Sequence, residues 1–306
     1  MDNVEKIKEE TDEEDRLKKE NSHHRDSNIA FYKANHKYVI SCSGDSKDPN
    51  TIVTNFDHNY TSVTTHLEEH FEVFNDDETI TKMMASKKWK EGHKWWGWTR
   101  ENLKIEWERI KVEASQQGEM LHFKIESFLN NKELKYPYTF GDLLANYNPT
   151  TMILETDNLT KAWRYFLNFV RDYSYLQPYR TEWRIYHEDV KIAGSIDLLS
   201  KIPYTDCYIL MDWKCSKKIS GDNERFPRFS KTDQLKHVPD TNFHHYALQQ
   251  NMYKIILKEK YNINVTIMYL VQLHPDLKDY QVIEVPDMSK EIQQIFKLRS
   301  QLSSTK

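Results

Sequence analysis

The stretch that most limits how this chain can fold is residues 193–214, AGSIDLLSKIPYTDCYILMDWK. It reads as two strands joined by a polar turn, with Asp197 in the first and Asp212-Trp213-Lys214 closing the second. Ile196, Leu198 and Leu199 surround Asp197, and Tyr208-Ile209-Leu210-Met211 lead into Asp212, the profile of strands buried on both faces. An ionised carboxylate in such a place is costly unless a cation or hydrogen bonds compensate it. Side chains alternate along a strand, so Asp212 and Lys214 share one side and Trp213 takes the other. Two carboxylates, an ammonium and the Trp213 carbonyl together describe a site for a hard cation that also holds a water.

The remaining pattern supplies a frame for that hairpin. Residues 180–186 form a preceding strand carrying Glu182, and residues 191–200 and 207–214 are the two strands of the hairpin. Residues 264–273 and 280–285 form two more, joined by the turn HPDLKD. Helical periodicity is strongest over 100–131, where Leu103, Trp107, Ile110, Leu121, Ile125 and Phe128 recur at spacings of three and four. Further helices are predicted over 160–172, 243–257 and 289–301, and shorter ones after Ser62 or Thr64 and over 76–89 with Asp76 or Asp77 as cap. Residues 29–52 suggest a hairpin interrupted by SCSGDSKDPN. Trp95-Trp96-Gly97-Trp98 is read as an aromatic plug between helices, with base stacking as the functional alternative.

Composition limits the class. The 306 residues are 38% hydrophobic and 29% charged, which describes a soluble protein of one large or two small domains. No apolar run approaches the roughly 20 residues of a membrane span, and the acidic N-terminus does not resemble a secretory signal. Three cysteines, Cys42, Cys207 and Cys215, suit neither a disulfide framework nor zinc spacing, which points to an intracellular setting, cytoplasm or nucleus of a host cell. The net charge of -4 excludes the strongly basic profile of a protein that coats nucleic acid. Residues 1–27, with ten acidic and six basic side chains, account for it, and residues 1–28 are expected to be a disordered charged tail in which His23 and His24 are solvated.

Four further elements stand in order around the hairpin. Gly118 and His122 form a G-x-x-x-H arrangement on the long helix, with Glu126 one turn later on the same face. Glu182 precedes Asp197 by fifteen residues, with Gly194 three before that Asp, and Gln249 and Tyr253 form a Gln-x-x-x-Tyr pair after Lys214. Across residues 110–275 this order resembles the PD-(D/E)XK nuclease superfamily, in its RecB-type and lambda-exonuclease-like branch.

The resemblance implies an α/β (α+β) fold with a central mixed sheet flanked by helices, in the restriction-endonuclease manner. The core would be residues 111–306 and a mostly helical region, 29–110, would cover the site. It implies a Mg²⁺- or Mn²⁺-dependent nuclease cutting phosphodiester bonds of DNA with free ends, as an exonuclease in replication, recombination or repair. His122, Asp197, Asp212 and the Trp213 carbonyl would hold the metal, with Glu182 supporting them and Glu126 orienting His122 or holding a second ion. Lys214 would clamp the attacking water electrostatically. Gln249 and Tyr253 would contact the substrate strand or buttress the lysine, and Lys217, Lys218, Arg225 and Arg228 in the following loop would guide phosphates. A DNA-binding module without turnover and an RNA endonuclease of the same fold are the alternatives. With neither a helicase nor four cysteines for an iron–sulfur cluster, the chain resembles stand-alone exonucleases of viruses and phages. Monomer and ring-forming oligomer both remain open.

Overall fold

The computed structural model describes residues 15–32, 35–41, 56–151, 154, 156–219 and 228–303. Its backbone of order is a mixed six-stranded sheet. β5 (Gln177–His187), β6 (Ile192–Lys201) and β7 (Tyr208–Lys214) run as an antiparallel meander. α7 (Asn242–Tyr261) crosses over to β8 (Val265–Gln272), parallel to β7, and β9 (Gln281–Glu284) closes that edge antiparallel. A short β4 (Thr61–Ser62) pairs in parallel with the start of β6. A separate antiparallel sheet is made by β1 (Ile29–Tyr32), β2 (Lys37–Ser41) and β3 (Phe56–Asp57).

Helices cover both faces, as near-continuous apolar strands require. One face packs α4 (Arg100–Leu129), α5 (Phe140–Ala145) and α6 (Asp157–Asp172), through Leu121, Ile125, Phe166 and Phe169, onto Leu198, Met211 and Trp213. The other packs α2 (Val63–Glu68), α7 and α8 (Ser289–Ser303) onto Trp183, Ile196, Leu199 and Leu210. Helix starts follow local chemistry: the side chains of Ser62, Thr99, Thr139, Thr156 and Thr241 accept first-turn N–H groups. α7 stops at Asn262, whose left-handed conformation (φ 55°) suits an asparagine. No helix among the described residues is long and apolar enough to cross a membrane.

Three expectations change. The predicted disordered tail is structured from Asp15 onward, while residues 1–14 lie outside the described residues. α1 (Arg16–Glu20) buries Leu17 completely, and a 3₁₀ turn (His24–Asn28) docks on β5 through Arg25 and Asp26. His23 caps that turn and lies 4.8 Å from the Tyr261 ring rather than pointing into solvent. A charged segment can order without a large apolar face when its charges find buried partners. Next, the mostly helical region 29–110 begins with four strands. Its β4 joins the main sheet and its Val63 and Leu67 join the main core, so a boundary at 110 would cut α4 and separate parts of one core. Finally, α3 (Asp76–Met84) is shorter than expected and is capped by Asn75, which accepts from Glu78 N, rather than by Asp76 or Asp77. Of the expected hairpin over 29–52, β1 and β2 are present, and residues 42–52 and Cys42 lie outside the described residues.

Candidate metal centre

β6 is paired with β5 along one edge except at Asp197. Its other edge is shared: β4 takes Ile192 and Ala193, and β7 takes Leu198 to Lys201. Residues 194–197 fall between them. The β6–β7 ladder ends at Leu198–Met211, one residue short of Asp197 and Asp212, so the strands diverge where those two carboxylates lie. Trp213 N–H, released from the ladder, donates to Asp197 Oδ2 at 2.9 Å.

The pleat is interrupted at the same level. Ile196 and Leu198 would share a face in a regular strand, yet Ile196 packs with α7 and Leu198 with α6. Opposite, Trp183 also packs with α7 while Thr181 accepts from Asn130 at the end of α4. Glu182 between them has φ 42°, a left-handed conformation on a non-glycine residue inside a strand. Such a conformation costs on the order of 1–3 kcal/mol and persists where surrounding structure imposes it. Glu182 and Asp197 therefore face each other across β5 and β6 at a shared irregularity, and Ser195 Oγ donates to Glu182 Oε2 at 3.1 Å.

His122 enters from α4, set by its buried neighbours Leu121 and Ile125. Its Nε2 lies 3.1 Å from the Trp213 carbonyl oxygen, and its Nδ1 stands 3.6 Å from Asp197 and 3.9 Å from Glu182. One ligand atom from each of His122, Glu182 and Asp197 lies within 4.8 Å of the others. Ligands at about 2.0–2.1 Å from a common Mg²⁺ are at most about 4.2 Å apart, and the His122 Nδ1 separations from Asp197 and Glu182, 3.6 and 3.9 Å, fall inside that limit. Asp212, 4% exposed, stands outside this closest trio. Lys214 Nζ forms an ion pair with its Oδ2 at 2.6 Å, and no other donor among the described residues reaches that oxygen.

The electrostatics show a surplus of negative charge. Burial pushes the Asp197 carboxyl up from its ordinary value, and raises Asp212 to about 6 against the opposing Lys214 charge. Burial alone would lower His122, but Asp197 and Glu182 outweigh it and raise the imidazole to about 9. Lys214 behaves alike: burial disfavours its charge, and Asp212 and Asp197 overcome that and raise it. A lysine held in its charged form fits an electrostatic clamp rather than a base. Three carboxylates against one ammonium, with an imidazolium 3.6 and 3.9 Å from two of them, fit the requirements of a divalent cation with mixed O and N donors.

The other expected residues separate. Gln249 Nε2 donates to Tyr253 Oη at 3.1 Å, and Tyr253 is buried against Gly194, whose missing Cβ would sit 2.6 Å from the Tyr253 ring. The pair therefore supports the strand beneath the site. The ring against Lys214 belongs to Tyr246, 4.3 Å from Nζ, a residue the motif did not include. Its signal was position: Tyr246, Gln249 and Tyr253 recur at i, i+3 and i+7 on one helix. Ser195, also missed, lies two residues before Asp197. Glu126 is not in the trio around His122. Lys217 pairs with Asp276 at 2.6 Å and Arg228 with Asp240 at 3.6 Å, so a phosphate must displace both carboxylates; Lys218 is exposed and Arg225 lies outside the described residues. Compared with protein-family models and with curated proteins, the sequence matches none.

Proposed function

We propose that this chain is a metal-dependent nuclease that hydrolyses phosphodiester bonds of DNA, acting from ends as an exonuclease within the cell, in replication, recombination or repair. The observation that carries this reading is the convergence of Glu182, Asp197 and Asp212, from three neighbouring strands, on His122 and a buried charged Lys214. His122, Glu182 and Asp197 would hold Mg²⁺ or Mn²⁺, with Asp212 beside them. When bound, such an ion supplies charge neutralisation at the phosphate and a more acidic water.

The chain's own groups do the rest. Asp197 is fixed by Trp213 N–H, and His122 by the Trp213 carbonyl, so both are tied to one residue of β7. Lys214, braced between Asp212 and the Tyr246 ring, holds positive charge toward the opening between β6 and β7, where a phosphate or an attacking water would lie. The ordered arrangement of His122, Glu182, Asp197, Asp212-x-Lys214 and Gln249-x-x-x-Tyr253 supports a nuclease over other metal-assisted hydrolases.

The test is end-labelled linear and covalently closed circular DNA with Mg²⁺, Mn²⁺ or chelator. Shortening of linear DNA alone is expected, abolished by chelator and reduced at least about a thousandfold in Asp197→Ala, since metal-assisted charge stabilisation contributes several kcal/mol. Cutting of the circle would make it an endonuclease. Binding without cleavage of DNA or RNA would refute turnover.

A further inference from the structure

The sequence treats the tryptophans before α4 as a plug, but they are not buried between helices. Trp96 is 48% and Trp98 39% exposed, which is unusual for the largest side chain. The segment from 85 to 98 is a series of turns, closed by Trp89 N to Ser86 O, His93 N to Lys90 O and Trp96 N to His93 O, each at 2.9 Å. Gly97, at φ 83°, takes a conformation that other residues rarely adopt and turns Trp98 back on Trp95. The rings lock edge to face, Trp89 with Trp96 at 6.0 Å and Trp95 with Trp98 at 5.3 Å. An edge-to-face pair covers at most one face of one ring. Flat aromatic surface thus remains available on a framework that is already ordered.

Charge says what that surface would meet. Lys87, Lys88 and Lys90 are exposed, and none forms an ion pair with a carboxylate among the described residues. Lys94 lies over the Trp95 ring at 4.2 Å. Of the nearby acids, Asp77 and Glu78 are already engaged, by Arg100, Lys104 and Lys82, and Glu91 is the one carboxylate within the segment, against Lys87, Lys88, Lys90 and Lys94. Unpaired ammonium groups interleaved with exposed rings match alternating phosphates and unstacked bases, the two features of a single-stranded nucleic acid. A duplex hides its base faces and would use the lysines alone.

We propose that residues 85–98 form a binding platform for single-stranded nucleic acid, in which Trp96 and Trp98 stack bases and Lys87, Lys88 and Lys90 meet the backbone. The platform leads directly into α4, which carries His122 22 residues beyond Arg100, about 33 Å at the rise of an α-helix. A strand gripped here would have to run along α4 for that length to reach the metal centre. The link to cleavage rests on the proposed function; the binding does not.

The test is fluorescence anisotropy of the full chain with labelled dT20, rU20, a blunt 20-base-pair duplex and polyglutamate, all in chelator so that cleavage plays no part. Single strands should bind more tightly than the duplex, with dT20 and rU20 showing whether the sugar matters. Trp96→Ala with Trp98→Ala should weaken single-strand binding at least about tenfold, the low end for losing base stacking, and leave the duplex within about twofold. Trp96→Tyr with Trp98→Tyr should restore most of it, which separates stacking from a folding defect. Lys87→Ala, Lys88→Ala and Lys90→Ala together should reduce the salt slope by about 2. Unchanged single-strand affinity in the double alanine variant overturns the platform, as does a preference for duplex. Binding of polyglutamate alone overturns it in favour of an acidic protein partner. Cleavage in Mg²⁺ is scored separately: platform binding without any cleavage sinks only the hydrolase, and cleavage with unaltered binding in the tryptophan variants sinks only the platform.

Discussion

Arg180 and Glu182 are two residues apart on β5 and belong to two partly buried ionic clusters of opposite character. In the first, Arg180 donates to Asp26 at 2.8 Å, Trp183 Nε1 donates to the same carboxylate at 2.8 Å, and Arg25 pairs with Glu188 at 2.6 Å and donates to Tyr186 O. Lys260 also pairs with Glu188 at 3.2 Å and with Asp189 at 2.8 Å, so three cations face three carboxylates, and the cluster joins the N-terminal segment to the sheet. In the second, Glu182, Asp197 and Asp212 face Lys214 and a histidine that must borrow a proton to help. Burial makes every uncompensated charge expensive, so a structural cluster balances. On the proposed function, the one that does not balance is the one that would take a cation the chain does not supply. This difference separates a joint from a site more sharply than the number of charges in either.

The largest test of that contrast is neutralisation on each side. Arg180→Met should destabilise the fold by about 3–5 kcal/mol, because Arg180 is 2% exposed and its loss leaves Asp26 buried with donors but no cation. A melting temperature lower by roughly 10 °C is the corresponding readout. Asp197→Asn should do the reverse in chelator: the amide oxygen still accepts from Trp213 N–H while one of three repelling charges disappears. Its stability should match or exceed the parent by up to about 2 kcal/mol, with cleavage lost. Equal destabilisation by both would mean that the second cluster is a structural joint as well.

Acid and base should act on the two clusters in opposite directions. Burial would raise Glu188, but the Arg25 hydrogen bond and charge hold it at about 2, below its ordinary 4.5. Its contribution is full above about 4.5 and disappears as pH falls toward 2. Asp212, raised from 3.8 to about 6, contributes most below 3.8 and loses that as pH rises through 6, a change of about 3 kcal/mol for a fully buried group. His122, raised from 6.5 to about 9, is stabilising below 6.5 and loses this as pH rises through 9. In chelator, stability should therefore decline from pH 6.5 to 9 and recover on adding Mg²⁺ or Mn²⁺, by about 2.7 kcal/mol at a concentration of 100 Kd. A flat profile over that range, unaffected by metal, would break the comparison.

Much of this is legible in the sequence. Buried acids in apolar strands can be read because the cost of burying a charge is large and local to the sequence, and Asp197, Asp212 and Lys214 do lie at one level of the sheet. His122 was legible only through its place in an ordered set. What could not be read depended on where strands stop pairing. The Trp213 N–H that holds Asp197 is free because β7 leaves β6 one residue earlier, and Glu182 meets Asp197 because the pleat fails at both. Nor does charge content show that residues 15–28 dock, since Asp26 looks solvated until Arg180 and Trp183 are brought beside it. The tryptophans were misread for a related reason: aromatic density predicts burial only if a neighbouring element covers it.

The smallest predicted effect concerns the strand that carries the unbalanced cluster. Gly194 is paired with Ile185 of β5 but lies between β4 and β7 on the other edge of β6, and an added Cβ would meet a Tyr253 ring carbon at 2.6 Å and Val63 at 3.1 Å. The aromatic ring belongs to a helix buried on both sides, so it cannot simply swing away. Gly194→Ala should cost about 1–3 kcal/mol through overpacking. The strain falls three residues from Asp197, so it should also reduce cleavage more than the stability loss explains, while Lys258→Gly, exposed in the last turn of the same helix, should alter stability alone. Pairing Gly194→Ala with Tyr253→Leu vacates the space and should return most of the stability. If the double variant recovers activity as well, Tyr253 serves only to shape β6. If stability returns and activity does not, the Tyr253 hydroxyl, held by Gln249 at 3.1 Å, has a role at the site that its burial conceals.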